Sequence, residues 1–294
     1  MREKSKIIYN CMNILVLSLG IIWFFFHYWE GYSFFKGNSL LGILLLLGTV
    51  ILVHGIKAVR LYFALFDTGI KFSEHIKIYC KVTPISVILP LKAGELFRMY
   101  CYGHEIGNYL KGIVIILLDR FMDTLALVTV FAGMWLVGSE KLSLFFIALM
   151  AFMLVILALY LLFPEMYLFW NRYILHLTAT KGNMTVLKVL ESLNGLYFEL
   201  KSTVRGRGIM LYILSLIAWC VEIGSVILFG KLESYGNVGV LVSDYLTSAL
   251  SGHPTEQMMK FVYLSVWCLL IAYVVIKLIG SGEKRIQNEH NSDI

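Results

Sequence analysis

The residues able to do chemistry lie mostly in two stretches. ILPLKAGELFRMY (Ile88 to Tyr100) carries Lys92, Glu95 and Arg98, set around Pro90 and Gly94, and LLDRFMD (Leu117 to Asp123) carries Asp119, Arg120 and Asp123. Glu222 stands alone in LSLIAWCVEIGSVILF, and Arg60 ends a run in which His54, Lys57 and Arg60 recur every third residue. The chain around them is apolar: 59% of its 294 residues are hydrophobic and only 15% are charged. An ionised side chain at the centre of a membrane helix costs roughly 3 kcal/mol on insertion scales, so such groups need partners. They can find them in one another or in a polar ligand. Arginine suits a phosphate, because its planar fork donates two parallel hydrogen bonds. Arg98, Arg120 and Lys92 are therefore candidate groups for an anionic ligand, and Glu95, Asp123 and Glu222 are acids that could hold the arginines when no ligand is present.

The elements that must position these residues are transmembrane helices. Mean hydropathy is +0.78, and apolar runs near 20 residues recur along the chain, as bilayer-crossing helices require. The alternating segments of about ten residues that mark a membrane barrel are absent. The expected fold is all-α and polytopic, with six spans at about 7–28, 40–62, 111–137, 142–163, 209–230 and 259–279. Residues 1–281 read as one integral membrane domain and 282–294 as a charged cytoplasmic tail. The first span has a basic start but no small-x-small cleavage site, so it reads as a retained helix.

Basic residues set the orientation. With the N-terminus inside, the outer loops hold Lys36, Lys141, Lys231 and Lys260, leaving 21 of the 25 Lys and Arg residues on the inner side or in inner halves of helices. A plasma-membrane protein with both termini cytoplasmic is expected. The net charge of +6 is thus a topology signal and does not imply nucleic acid. Cys11, Cys80, Cys101, Cys220 and Cys268 are scattered without a CxxC pair, so neither metal nor disulfide chemistry is expected, and no cofactor motif is found.

Between the second and third long spans the chain reads differently. Lys71 to Lys81 is basic and is expected at the inner surface. Only five residues, ISVIL, separate Pro84 from Pro90, and Pro90 and Gly94 disfavour one continuous helix. Non-helical backbone at membrane depth survives only when buried in protein or lining a wet cavity. The pattern predicts a re-entrant hairpin near 84–103, entering through Ile85 to Leu91 and returning through Glu95 to Tyr102. A short helix starting near Ala93 would aim its amides at an anion. Glu95 and Arg98, three apart, can pair.

The next helix must start near Lys111, because Thr124 to Val137 alone is too short to cross. That places Asp119 to Asp123 roughly 10–17 Å along it. The arrangement suits an arginine held between acids or one held towards a phosphate. The His54–Lys57–Arg60 face has two readings: snorkelling to headgroups, or lining the same polar site as Arg98. Glu222 is expected to be protonated, to pair with Arg98 or Arg120, or to accept protons. The fourth span is expected to end at Pro164. In the long polar stretch beyond it, Val186, Val189, Leu193, Leu196 and Leu200 recur at helical spacing and predict a helix on the inner membrane surface. Lys231 to Lys260 reads as a mildly polar outer segment turning at Gly252, His253 and Pro254.

LPLKAGELFRMY resembles the P-x-[KR]-x-G-E-x-x-R signature of the lysylphosphatidylglycerol synthase transmembrane-region family, matched here by Pro90, Lys92, Gly94, Glu95 and Arg98. LLDRFMD is similar to that family's [ED]-R-x-x-D helix at Asp119, Arg120 and Asp123, and Arg60 and the W-x-x-E pair Trp219 and Glu222 fall at its usual places. The resemblance spans roughly residues 40 to 230. It implies a stand-alone, flippase-like membrane domain that binds and moves an anionic or modified lipid, phospholipid or polyprenyl-linked, between leaflets. It does not imply lysine transfer, because no aminoacyl-transferase domain accompanies the motifs. One departure stands out: the family's Pro-Gly-Gly-x-Gly-x-x-Glu segment is replaced by ALSGHPTEQ at Ala249 to Gln257.

Two other classes stay open. A membrane-embedded transferase of lipid-linked glycan synthesis could use paired acids as base and metal ligands, although HExxH and GxSxG are both missing. A partner subunit without chemistry would associate with a cell-envelope glycosyltransferase. A homo-oligomer is also open.

Overall fold

The computed structural model describes residues 2–28, 33, 35–36, 38–89, 93–137, 144–176, 181–232, 238–251 and 255–292. Among them the regular structure is helical throughout: α1 (Arg2–Tyr28), α2 (Leu40–Ala64), α3 (Phe72–Ile88), α4 (Ala93–Ile106), α5 (Tyr109–Val137), α6 (Leu144–Leu175), α7 (Lys181–Val204), α8 (Gly208–Leu232), α9 (Val238–Ser251) and α10 (Glu256–Ser292). The protein is an all-α polytopic membrane protein. Five helices are long and apolar enough to cross a bilayer, within α1, α2, α6, α8 and α10. The sixth expected span is α5. Its 29 residues rise about 43 Å at 1.5 Å each, but Asp119, Arg120 and Asp123 set it apart from the other five in composition.

The core is where α2, α3, α4 and α5 meet. Leu61 of α2 and Leu65 at its C-cap, Val82 and Ile85 of α3, Cys101 and Tyr102 of α4, and Ile115 and Ile116 of α5 are all buried there. By contrast α6 leaves Leu154, Leu157 and Leu161 exposed, as a lipid-facing helix should. Ser39 caps α2 by accepting a hydrogen bond from the Gly42 amide at 3.1 Å, an N-cap preference rooted in the unfilled amides of a first turn.

The hairpin between α2 and α5 is two packed helices. The return limb begins at Ala93, where the sequence places it. The entering limb differs from expectation: α3 starts at Phe72 and is helical through Pro84 to Ile88, with His75, Ile78, Tyr79 and Cys80 buried. Lys71 to Lys81 is mostly the first half of this helix, whose apolar positions pack on α4 and α10. Pro84 is tolerated inside α3, which ends at Ile88 with Leu89 as its C-cap. Pro90, Leu91 and Lys92 lie outside the described residues. Gly94 explains how tightly the limbs pack: a Cβ there would strike the Ser86 Cα and the Ile85 carbonyl. A second close approach joins α4 to α5, where a Cβ on Gly112 would come within 2.6 Å of the Gly103 backbone.

Three other expectations are corrected. The fourth span does not stop at Pro164, because α6 carries that proline inside and continues to Leu175. Membrane helices tolerate proline where neighbouring groups satisfy the freed backbone. The outer segment is not simply polar: α9 is an apolar helix with Val242, Tyr245 and Leu246 buried against α5 and α8, and the turn at Gly252 to Pro254 lies outside the described residues. Lys260, counted as an outer-loop charge, is buried in the early turns of α10 and pairs with Glu256 at 2.9 Å. The tight turn after Val137 is also outside the described residues. The predicted amphipathic helix is α7, which packs Leu200 and Val204 on the core and leaves Val186, Val189 and Leu193 exposed. The tail assigned to 282–294 continues α10 helically as far as Ser292.

Candidate functional site

Four helices bring the charges together: α2, α4, α5 and α8. Arg60, near the end of α2, is 2% exposed. Its Nε donates to Asp119 Oδ1 at 2.8 Å, and its Nη1 donates to Asp123 Oδ1 at 2.6 Å and to Ser215 Oγ at 2.7 Å. Its Nη2 also lies 2.7 Å from Asp119 Oδ1. Asp119 and Asp123 are one helical turn apart on α5, so both reach the same guanidinium. The expectation of an arginine held between acids is met by Arg60, on another helix, and not by Arg120.

The other side of Asp119 faces α4. Arg98, also 2% exposed, has Nη2 at 3.4 Å from Asp119 Oδ2 and Nη1 at 3.8 Å from Glu95 Oε2. Its guanidinium sits 5.8 Å over the Tyr79 ring, a favourable place for a cation. Tyr79 in turn hydrogen-bonds His54 Nδ1 at 3.1 Å. Yet Arg98 Nε and Nη1, Glu95 Oε2 and Asp119 Oδ2 have no hydrogen-bond partner among the described residues. Arg120, half-exposed on α5, also reaches α4 and meets Glu95 Oε1 at 3.0 Å. Glu95 therefore sits between two arginines, its local partner on α4 and a distant one on α5.

Glu222 pairs with neither arginine, a second correction. Its Oε2 lies 3.4 Å from Lys57 Nζ, and its Oε1 accepts the Tyr245 hydroxyl at 2.5 Å. Lys57 also stands 5.5 Å over the Trp219 ring, whose Nε1 donates to the Asp123 carbonyl at 3.2 Å. The His54–Lys57–Arg60 face therefore turns into the protein and does not snorkel. Its alternative reading, a shared polar site with Arg98, describes the geometry: Arg60 and Arg98 share Asp119. Spacing alone could not choose between the two, because it says which residues share a face and not what that face meets.

The structure thus joins Arg60, Glu95, Arg98, Asp119, Arg120 and Asp123 in one cluster and places Glu222 beside it through Lys57. Gly94 serves the contact between α3 and α4 and offers no ligand. Pro90 and Lys92 lie outside the described residues. Sequence reasoning missed Ser215, Tyr245 and Tyr79. Ser215 could have been found, since it lies seven residues before Glu222 on the same face of α8. Tyr245 gave no signal, because α9 is too short to read as a span.

A helical membrane protein whose core holds a connected network of arginines and carboxylates is the class that fold and site define. The family model described as the lysylphosphatidylglycerol synthase TM region matches residues 13–232, and the chain belongs to that family. Curated proteins and solved structures give no match.

Proposed function

We propose that the protein binds the phosphate of an anionic or modified lipid at Arg98 and Arg120 and moves that lipid between the leaflets of the plasma membrane, with both termini cytoplasmic. Membership of a lipid-associated membrane family supports the substrate class. The observation that carries the reading is the state of Arg98. A buried guanidinium normally has its donors filled, and burying an ion without full compensation costs several kcal/mol. Arg98 is as buried as Arg60, but its nearest acid oxygens stand at 3.4 and 3.8 Å and two of its nitrogens lack a hydrogen bond. A phosphate entering beside Glu95 would fill those donors. Arg120, half-exposed on the far side of Glu95, is the second arm of such a clamp, released when the substrate competes for it.

The test is reconstitution in liposomes with a fluorescent anionic phospholipid, following its leaflet with a membrane-impermeant quencher. Arg98→Ala and Arg120→Ala are expected to abolish translocation while the protein still elutes as a monodisperse species. Undiminished transport in both variants would sink the proposal. Mass analysis of the recovered lipid separates this reading from a transferase: transport leaves the mass unchanged.

A further inference from the structure

We infer that a cleft apart from the central cluster, walled by α1, α3, α4 and α10, is a second lipid site that takes the phosphate of an anionic phospholipid headgroup. The cleft encloses about 610 Å³, well within the size of ligand pockets. None of Arg60, Arg98, Asp119 or Glu222 lines it, so it stands or falls separately from the transport reading.

Three lysines face the cleft: Lys77 and Lys81, one turn apart on α3, and Lys277 on α10. One is already held. Lys81 Nζ donates to the Tyr9 hydroxyl at 2.9 Å, and that hydroxyl donates to Glu105 Oε1 at 3.2 Å. The Tyr9 ring is fixed by stacking on His104 at 3.8 Å. Lys77 and Lys277 have no hydrogen bond or ion pair among the described residues, and neither has Glu74. Two unengaged ammonium groups against one unengaged carboxylate leave the cleft net positive and select a net-negative ligand.

The apolar wall decides between a lipid and a free phosphate. Ile14 and Leu17 line the same cleft from within the apolar run Ile7–Phe26 of α1, and Ile14 is exposed. A headgroup held by Lys77 and Lys277 would have hydrocarbon surface beside it for an acyl chain. A soluble phosphate has no use for that wall. Lysines beside a lipid surface attract anionic headgroups, and the attraction is screened by salt.

Native mass spectrometry of the full chain in detergent tests this, with phosphatidylglycerol, phosphatidylcholine and glycerol phosphate as probes. Phosphatidylglycerol should bind ahead of phosphatidylcholine, and joint Lys77→Gln and Lys277→Gln substitution should weaken it about tenfold. Both lysines are exposed, so the variant is expected to fold, which its elution profile checks. The comparison is repeated in an Arg98→Met background, where binding at this cleft should persist. Unchanged affinity in the double variant, equal binding of phosphatidylcholine, or loss of the lysine-dependent binding with Arg98→Met would each overturn the inference. Glycerol phosphate binding as tightly as the lipid would overturn the lipid assignment.

Discussion

Arg60 and Arg98 share one aspartate and are equally buried, yet they are in opposite states. Arg60 has every nitrogen within 2.8 Å of an oxygen, from Asp119, Asp123 and Ser215. Arg98 has no acid oxygen closer than 3.4 Å. The difference follows from the supporting helices. Arg60 is gripped by α5 and α8, two long elements packed along α2. Arg98 rides on α4, a 14-residue helix whose acid, Glu95, is shared with Arg120. One arginine is saturated and acts as a structural clamp. The other is held in place with donors to spare, as the proposed phosphate-binding role requires.

The largest effect should come from breaking the saturated side. Arg60→Met strands Asp123 and leaves Asp119 with Arg98 alone, at 3.4 Å, and removing one partner of a buried ion pair costs roughly 3–5 kcal/mol. Thermal unfolding in detergent should show a large drop or a failure to yield monodisperse protein. Arg98→Met leaves Asp119 with Arg60 and Glu95 with Arg120, so less than half that loss is expected. Equal losses from the two substitutions would erase the distinction between them.

Local chemistry made part of this legible from sequence. The start of α4 at Ala93 and the pairing of Glu95 with Arg98 follow from residues within a few positions of one another. The need for partners on Asp119 and Asp123 follows from their depth in an apolar helix. The identity of those partners does not. Arg60 meets Asp123 across 63 positions and Lys57 meets Glu222 across 165, and helical spacing cannot say which faces meet. Pro164 misleads for another reason. It punctuates helices in water, whereas in a bilayer there is no solvent to reward a broken turn, and α6 runs on through it. Tyr245 is hidden because α9, at 14 residues, is too short for the hydropathy argument that finds the other spans.

A middle-sized effect should sharpen the contrast from the Arg98 side. Gly94 lies where α4 touches the α3 backbone, one residue before Glu95. Gly94→Ala inserts a methyl group against Ser86 and Ile85, and overpacking of this kind costs roughly 1–3 kcal/mol. The backbone of α3 cannot swing away like a flexible side chain, so α4 must shift, carrying Glu95 and Arg98 with it. Arg60 is anchored by α5 and α8 and stays. Translocation should therefore fall further than stability, and if the two fall together, α4 is not the element that holds the proposed ligand-binding arginine in register.

The smallest effect belongs to the far edge of the saturated side. Tyr245→Phe removes one hydroxyl, the 2.5 Å donor to Glu222, and keeps the ring. Interhelical hydrogen bonds in membranes are worth about 1–2 kcal/mol at most, because the unfolded chain in the bilayer also finds partners. Glu222 keeps Lys57, so its charge is not stranded. Lys57 reaches the cluster through Trp219, which donates to the Asp123 carbonyl, and through the charge of Asp123 itself, both on the Arg60 side. A small loss in melting temperature with transport intact is the expected outcome. If transport is lost while stability holds, Glu222 belongs with the working arginines, as its position in the middle of α8 first suggested, and the line between clamp and ligand site would have to be redrawn to put Lys57 and Glu222 on the Arg98 side.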